Sequence, residues 1–239
     1  MDFFKNFSED FSDSLKRALA EAEKRQRKIA VFDADWTLWS ADMGEAFLRW
    51  LIAGRLLLNA DYSADIYREY EKKVEINRAG GYAWAVSLMA GLSEEDIKLW
   101  SGQMAYAWPN YRSKMRLLVG KLRENGFEVW IISASNDWVI KAAARHMSVE
   151  PEKSLGIRVG VENGLLTDEV VKPVTCNYGK VETIMQRIGE KPLIACGDSM
   201  GDLEMLEYSE IPLIAGKHEE KDSKIIEIAR SRNWPVHFF

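Results

Sequence analysis

The order of strand-like and helical segments predicts an α/β protein with a Rossmann-like, doubly wound, mostly parallel sheet and an inserted α-helical cap. Three observations support this fold class. A short apolar run at residues 28–32, "KIAVF", is typical of a buried strand. Residues 42–118 then carry helical periodicity with few strand signals. From residues 127–133, "FEVWIIS", onward, strand-like and helical segments alternate, as they do around parallel sheets.

Residues 1–27 are predicted to form an amphipathic helix ahead of the sheet. We expect its apolar face to pack on the protein's own body; a second subunit or a membrane surface is the alternative. The segment is too charged for a secretory signal and too acidic for a typical transit peptide, so we expect a cytoplasmic protein. The apolar side chains that recur at helical spacing are Phe3, Phe4, Phe7, Phe11, Leu15 and Leu19.

The helical block between the first two strands is predicted to be a separate cap. It covers residues 42–118, with helices interrupted by Gly80-Gly81 and by Pro109. The core is then formed by residues 28–41 together with 119–239. A long helical block inserted after the first strand leaves the remaining strands free to complete one sheet.

The second half of the chain predicts the rest of that core. Asn136 is a suitable N-cap for the helix after the second strand. Asn163-Gly164 stands between two apolar alternations and predicts a β-hairpin. A helix at "GKVETIMQRIG", strands at "PLIAC" and "IPLIA", and a closing helix follow in the sequence.

Composition limits the classes of partner. The net charge of −5 comes without a dense basic stripe, so we expect no nucleic-acid binding, and no apolar tract is long enough to predict a membrane span. The two cysteines, Cys176 and Cys196, lack metal-ligand spacing and are predicted to be reduced thiols. We expect a monomer or a homodimer with a small-molecule substrate.

Polar residues follow three of the predicted strands. Asp33 and Asp35 follow the first strand, Ser133 ends the second, and Asp198 follows "PLIAC". Because the carboxyl ends of parallel strands share one edge of a sheet, these residues are predicted to meet in one pocket. Carboxylates two positions apart point the same way in extended chain, and such crowding requires a cation or a shared proton. Turn-forming and capping roles are the alternative for these residues.

Four motifs in order resemble the haloacid dehalogenase superfamily, and within it the phosphatase branch near phosphoserine phosphatase. They are "FDADWTLW", the serine closing "VWIISAS", the lysine in "NYGKVETI", and "GDSMGDLEML". The resemblance implies a phosphatase that uses Mg²⁺ and forms an aspartyl-phosphate. Asp33 is then the nucleophile, and Asp35 is the acid that protonates the leaving oxygen and later accepts a proton from water.

The same resemblance assigns the binding residues. Ser133, the backbone at Ala134 and Lys180 are predicted to bind the phosphate. Lys172 is the alternative to Lys180, but the spacing from Lys180 to "GDSMGD" fits the family pattern better. Asp198 is alternatively only a helix cap, and Ser133 only a loop serine. The residues implied for Mg²⁺ are Asp33, Asp35 through its carbonyl, Asp198 and Asp202, the last directly or through a bound water.

Two departures from the family pattern concern the substrate. Trp36 stands where many relatives have a small residue, and Asp42 stands where phosphoserine phosphatases place a glutamate for the substrate ammonium. The cap segment "GYAWAVSLMAGL" has aromatic residues but no arginine for a substrate carboxylate, unless Arg55 or Arg78 reaches the pocket. We therefore expect a phosphomonoester with an amino or ammonium group, of the phosphoserine, phosphoethanolamine or phosphocholine type.

Other classes of function remain as alternatives. A haloacid dehalogenase also uses an aspartate nucleophile, but it needs neither a metal nor an acid at the position of Asp35. A phospho-acceptor regulatory protein would lack the long helical insertion. A phosphate-binding protein without turnover is expected to have lost at least one of the acidic residues, and all are present here.

Overall fold

The computed structural model describes residues 3–218, 221 and 223–239, and its main feature is a six-stranded parallel sheet. The strands of this sheet are β1 (Ile29–Phe32), β2 (Glu128–Asn136), β3 (Ser154–Ile157), β6 (Ile194–Gly197), β7 (Ile211–Gly216) and β8 (Val236–Phe238). Their order in the sheet, β3-β2-β1-β6-β7-β8, runs outward from β1 in both directions, which is the doubly wound arrangement that the sequence predicts.

Both faces of β1 are buried, which explains its uninterrupted apolar sequence. Ala30 and Phe32 pack into the larger apolar cluster on one face of the sheet, while Ile29 and Val31 pack into a second cluster on the other. The helices that follow the cap are α6 (Ser113–Glu124), α7 (Asp137–Ala144), α8 (Tyr178–Arg187), α9 (Leu203–Tyr208) and α10 (Lys224–Ser231).

The N-terminal segment packs on the protein's own body, as the sequence predicts. Its main helix, α1, spans Glu9–Ala22 and follows a short 3₁₀ turn at Phe3–Asn6. Phe11 and Leu15 are almost completely buried. The Ser8 hydroxyl donates to the Val236 carbonyl at 2.8 Å, so the start of this segment is bonded to the edge strand β8.

Four helices lie between β1 and β2, in the block predicted to be the cap. They are α2 (Met43–Ala53), α3 (Ile66–Ile76), α4 (Arg78–Ser87) and α5 (Glu94–Ala107). The boundary expected between residues 118 and 119 falls inside α6, which packs against β2 of the sheet. We therefore propose that the cap comprises α2 to α5 and that α6 belongs to the core.

The predicted hairpin is present and lies apart from the main sheet. It pairs β4 (Val159–Glu162) with β5 (Leu165–Val170) through Asn163 and Gly164, whose φ angles are 51° and 81°. Positive φ at both positions is typical of a two-residue hairpin turn. The hairpin also bonds to the cap, because the Gly91 N–H donates to the Leu166 carbonyl at 2.7 Å.

Two strands of the sheet were not predicted from the sequence as separate elements. β3 has only four residues and β8 only three, and short edge strands carry little periodicity. No helix in the part of the chain that the structure describes is both long and apolar enough to cross a membrane.

Candidate active site

The carboxyl ends of four adjacent strands form one wall of a cavity of about 240 Å³. Asp33 follows β1, Ser133 lies in β2, Asp198 follows β6 and Lys217 follows β7. Because β2, β1, β6 and β7 are neighbours in the sheet, their ends bring these side chains together. Helices α2 and α4 supply the opposite wall of the cavity.

Lys180 connects two of the carboxylates at the bottom of this cavity. Its Nζ lies 2.6 Å from Asp33 Oδ1 and 2.5 Å from Asp202 Oδ1, and its side chain is fully buried. Burial disfavours the charged form of Lys180, but Asp202 and Asp33 outweigh burial and raise its pKa. Burial and the charge of Asp202 raise the pKa of Asp33. Lys172, the alternative candidate, is exposed.

The acidic residues fit a divalent cation with a preference for oxygen ligands. Asp33, Asp198 and Asp202 are buried and present carboxylate oxygens within 4.8 Å of one another. An all-oxygen donor set of this kind suits Mg²⁺. Burial and the charge of Asp202 raise the pKa of Asp198 to about 7, although Lys217 Nζ lies 3.1 Å from Asp198 Oδ2 and opposes this shift.

Asp202 also organises the loop after β6. Its Oδ2 accepts hydrogen bonds from the backbone N–H groups of Asp198 and Ser199, at 3.2 and 3.1 Å. A Cβ atom at Gly197 would lie 2.6 Å from Asp202 Cβ, so glycine is required there for the loop to close this tightly. Protein donors thus occupy both oxygens of Asp202, which favours an orienting role for this residue near a metal over direct ligation.

Asp35 is held by three hydrogen-bond donors. Its Oδ1 accepts from the Trp39 indole N–H and from the Met43 backbone N–H, each at 2.7 Å. Its Oδ2 accepts from the Ser135 hydroxyl at 2.5 Å. Burial raises the pKa of Asp35, and these donors oppose that shift.

The residues at the end of β2 that were predicted to bind phosphate lie at the cavity. Ser133 is buried, and its Oγ accepts from the Ser135 backbone N–H at 3.1 Å. The Thr175 hydroxyl donates to the Ser133 carbonyl and thereby fixes the strand end. Ser133 and Ala134 both line the cavity.

Two carboxylates line the cap side of the cavity. Asp42 is the N-cap of α2 and accepts from the Glu45 N–H at 2.7 Å. Burial, followed by the charge of Asp35, raises the pKa of Asp42 well above its usual range. The Glu45 carboxylate accepts from the hydroxyls of Tyr67 at 2.8 Å and Tyr70 at 3.2 Å.

Trp36 and Arg78 also line the cavity. Trp36 is 37% exposed and adopts a φ of 61°, a left-handed conformation that is strained for a bulky side chain. Lys217 Nζ lies 4.5 Å above the Trp36 ring. Arg78 belongs to the cap and approaches Gly201 of the fourth motif. The Arg55 guanidinium instead lies over Tyr62.

A comparison with protein families decides the class of this molecule. The profile of haloacid dehalogenase-like hydrolases matches residues 30–207, which include the four motifs and the acidic cluster. The chain belongs to this family. The family prediction from the sequence is therefore confirmed, and the protein is a hydrolase.

Two curated relatives of this hydrolase have phosphatase names. The phosphorylcholine phosphatase of Pseudomonas aeruginosa is 24% identical over 185 residues, which are 61% of this chain and 53% of the relative. The chain thus spans about half the length of that protein. The histidinol-phosphatase of Neisseria meningitidis serogroup C is 22% identical over 223 residues, 88% of this chain and 98% of the relative.

Solved structures share the fold of the hydrolase. A protein of unknown function from Bordetella pertussis has a TM-score of 0.76 at 20% identity, covering 89% of this chain and 98% of its own. A phosphoserine phosphohydrolase-like protein from Francisella tularensis has a TM-score of 0.60 at 20% identity, covering 87% and 94%. These similarities show that the protein shares its α/β fold with these structures.

The structure adds site residues of the hydrolase that the motifs did not assign. Ser135 is two positions after Ser133 in extended chain, so alternation alone places it on the same side. Lys217 follows β7 as Asp198 follows β6, and the strand-end rule could have found it. No signal in the sequence indicated that the Trp39 indole contacts Asp35.

Proposed function

We propose that this hydrolase is a Mg²⁺-dependent phosphatase that cleaves a small phosphomonoester through an aspartyl-phosphate at Asp33. The observation that carries the proposal is the buried contact of Lys180 with both Asp33 and Asp202, at 2.6 and 2.5 Å, in the cavity that the end of β2 also lines. A fixed cation next to the carboxylate offsets the repulsion between that carboxylate and an anionic phosphate. The phosphatase names of both curated relatives support the same reaction.

In the first step, a carboxylate oxygen of Asp33 attacks phosphorus while the bond from phosphorus to the ester oxygen breaks. Asp35, in its acid form, gives its proton to the departing oxygen, so an alcohol leaves and Asp33 carries the phosphoryl group. Ser133 and Ala134 line the cavity, and in this scheme the Ser133 hydroxyl and the Ala134 N–H donate to the phosphoryl oxygens. Lys180 stabilises the charge on the transferred group.

In the second step, water attacks the same phosphorus atom and the bond to Asp33 breaks. Asp35, now a carboxylate, accepts the proton of the attacking water. Inorganic phosphate leaves, and both aspartates return to their starting forms. One acid thus acts in both half-reactions, which requires that it stay in place between them.

Mg²⁺ would be held by Asp33 and Asp198, with Asp202 orienting the loop and the Asp35 carbonyl as the further ligand implied by the family. Its chemistry when bound is to neutralise negative charge between the phosphate and the carboxylates. Lys217 contacts both Asp198 and the Trp36 ring, and all three residues line the cavity.

The cap side of the cavity supports a substrate with a cationic group. Glu45 is fixed by two tyrosine hydroxyls and Asp42 caps α2, so both carboxyl groups have defined positions before substrate binds. Tyr82 adds an aromatic surface to the same wall. Phosphorylcholine, named in the P. aeruginosa relative, carries a quaternary ammonium that suits this wall.

Arg78 introduces a second possibility for the substrate. A guanidinium at the cavity pairs well with a carboxylate. Among the phosphomonoesters with an ammonium group, this favours phosphoserine over phosphoethanolamine and phosphocholine. The cap segment "GYAWAVSLMAGL", where the family pattern led us to look for such an arginine, contains none.

A panel of phosphomonoesters assayed with and without Mg²⁺ tests the function. We expect hydrolysis of 4-nitrophenyl phosphate to require Mg²⁺ and to fall at least about 1,000-fold in Asp33→Asn, because an amide is a poor nucleophile. Asp13→Asn, an exposed position on α1, is the matched control and should retain activity. Full turnover in excess chelator or in Asp33→Asn contradicts the mechanism.

The same panel ranks the substrates. Phosphocholine, phosphoethanolamine and phosphoserine should be cleaved with a higher kcat/KM than a sugar phosphate or a nucleotide. The order of kcat/KM among these three substrates tests the role of Arg78, since only phosphoserine has a carboxylate for the guanidinium to bind. Preference for a sugar phosphate or a nucleotide would contradict the cationic substrate and leave the general phosphatase reaction standing.

A further inference from the structure

The two oxygens of Asp35 are held by different parts of the molecule. Oδ1 accepts from Trp39 and Met43, which lie where the chain leaves the core for the cap. Oδ2 accepts from Ser135 of β2 in the core. Asp35 and Ser135 both line the cavity, whereas Trp39 is fully buried behind it.

Trp39 is itself fixed by the second connection between cap and core. Its backbone forms a β-bridge with Tyr111, and the edge of one ring meets the other, with ring centroids 5.8 Å apart. Backbone hydrogen bonds on either side join Ser40 to Asn110 at 2.9 Å and Arg112 to Leu38 at 3.1 Å. The two segments that connect cap and core, residues 38–40 and 110–112, therefore pair as a short antiparallel ribbon.

Tyr111 extends these contacts to both parts of the protein. Its hydroxyl donates to the Ala105 carbonyl at the end of cap helix α5, at 2.9 Å. Its ring stacks on His146 of the core, with centroids 5.1 Å apart. The fully buried Trp39 indole thus packs on a ring that is bonded to the cap and stacked on the core, and a donor held in this way restrains its acceptor.

We propose that Trp39 is a positioning residue for Asp35. The indole N–H holds Oδ1, and this leaves Oδ2, beside Ser135 at the cavity wall, as the oxygen that exchanges a proton with the substrate. This inference rests on the proposed role of Asp35 as general acid and base. It assigns to Trp39 and Ser135 a function in proton transfer that is separate from binding the phosphate.

The proposal predicts a loss that depends on the leaving group. An alkoxide needs its proton as it departs, whereas 4-nitrophenolate is stable enough to leave without one. In Trp39→Phe, which keeps a ring but removes the N–H, formation of the phosphoenzyme from benzyl phosphate should slow about 10- to 100-fold. Formation from 4-nitrophenyl phosphate should slow less than about 3-fold.

Rapid-quench measurement of the phosphoenzyme in single turnovers, with Mg²⁺ present, gives both rates. Trp130→Phe is the matched control, because Trp130 lies on β2 in the apolar cluster away from the cavity. It should leave the ratio of the two rates unchanged. Thermal unfolding of each variant measures any loss of folding separately.

Ser135→Ala provides an independent test through the other oxygen. It removes one small hydroxyl, and a shift of the rate ratio in the same direction supports the proposal. If Trp39→Phe does not fold, the rate ratio of Ser135→Ala alone tests the proposal. If the folded variants keep the ratio of the two phosphoenzyme formation rates, whether both rates stay the same or both fall equally, the positioning role is overturned.

Failure of the inference can be distinguished from failure of the proposed function. If the unaltered protein forms no phosphoenzyme from either substrate, the phosphatase proposal itself fails. If it does form one, and Trp39→Phe changes neither rate, only the role of Trp39 is contradicted.

Discussion

Lys180 allows Asp33 and Asp202 to approach each other closely at the bottom of the cavity. Each carboxylate lies within 2.6 Å of its ammonium, and all three side chains are buried. Without this cation, two charges of the same sign would share a region from which most water is excluded. The residue that is proposed to stabilise the phosphoryl group is therefore also part of the folded core.

Lys180→Met should destabilise the protein in the absence of divalent cations. Removing one partner from a buried ionic cluster leaves uncompensated charge and typically costs about 3 to 5 kcal/mol. Urea unfolding at pH 8 in the presence of chelator measures this loss.

Lys141→Met is the matched control for that experiment. Lys141 pairs with the buried Asp137 at 2.7 Å, but its own side chain is 29% exposed, and Asp137 also accepts from the Gly156 N–H. The expected loss is about 1 kcal/mol. An equal loss in both variants would show that Lys180 has no special role in the buried cluster.

One histidine takes part in the contact between the N-terminal segment and the last strand. The His237 Nδ1 accepts from the Ser8 N–H at 3.0 Å, and its ring meets the rings of Phe7, Phe11 and Phe239. Burial and the nearby charges of Lys114 and Arg112 lower its pKa to about 4. The hydrogen bond from the Ser8 N–H therefore requires an unprotonated Nδ1 on His237.

This element should loosen in mild acid. Because the pKa of His237 lies below its ordinary value of about 6.5, the folded state binds fewer protons than the unfolded state between pH 4 and 6.5. The contribution of neutral His237 to the free energy of unfolding is present above pH 6.5. About 2 to 3 kcal/mol of it is lost as pH falls toward 4.

Urea unfolding at pH 7 and pH 4.5 measures the effect, and His237→Phe should reduce the difference between the two values. His146→Phe serves as the control for removing a histidine from a stacked aromatic pair. If the acid sensitivity is the same in all three proteins, protonation of His237 does not limit the stability of this element.

At the scale of the whole molecule, the sequence predicted the fold because each large element has its own periodic signal. It also predicted the meeting of Asp33, Ser133 and Asp198, since the ends of parallel strands share an edge. It did not predict the contact between Trp39 and Asp35, and it named Arg78 only as one of two arginines that could reach the pocket. Those contacts depend on how the cap sits on the core, and no local pattern encodes that arrangement.

The packing of cap on core brings residues of both parts to one cavity. Asp42 caps the first cap helix, and it lines the same cavity as Asp33 of the core. Asp42→Asn should raise the KM for phosphocholine about 10-fold more than the KM for 4-nitrophenyl phosphate. Only phosphocholine carries a cation that can pair with the Asp42 carboxylate, so only its binding loses an interaction. Steady-state kinetics on the two substrates with Mg²⁺ measures this ratio.

Asparagine is a good helix cap, so Asp42→Asn removes the ionisable carboxyl group, which can pair with a cation, while the N-cap of α2 is kept. Asp65→Asn is the matched control, since Asp65 caps α3 through the Arg68 N–H at 3.0 Å and is exposed away from the cavity. It should leave the ratio of the two KM values unchanged. If Asp42→Asn raises both KM values equally, the charge of Asp42 acts on the phosphate site as a whole, and the cap selects its substrate without an ion pair at this position.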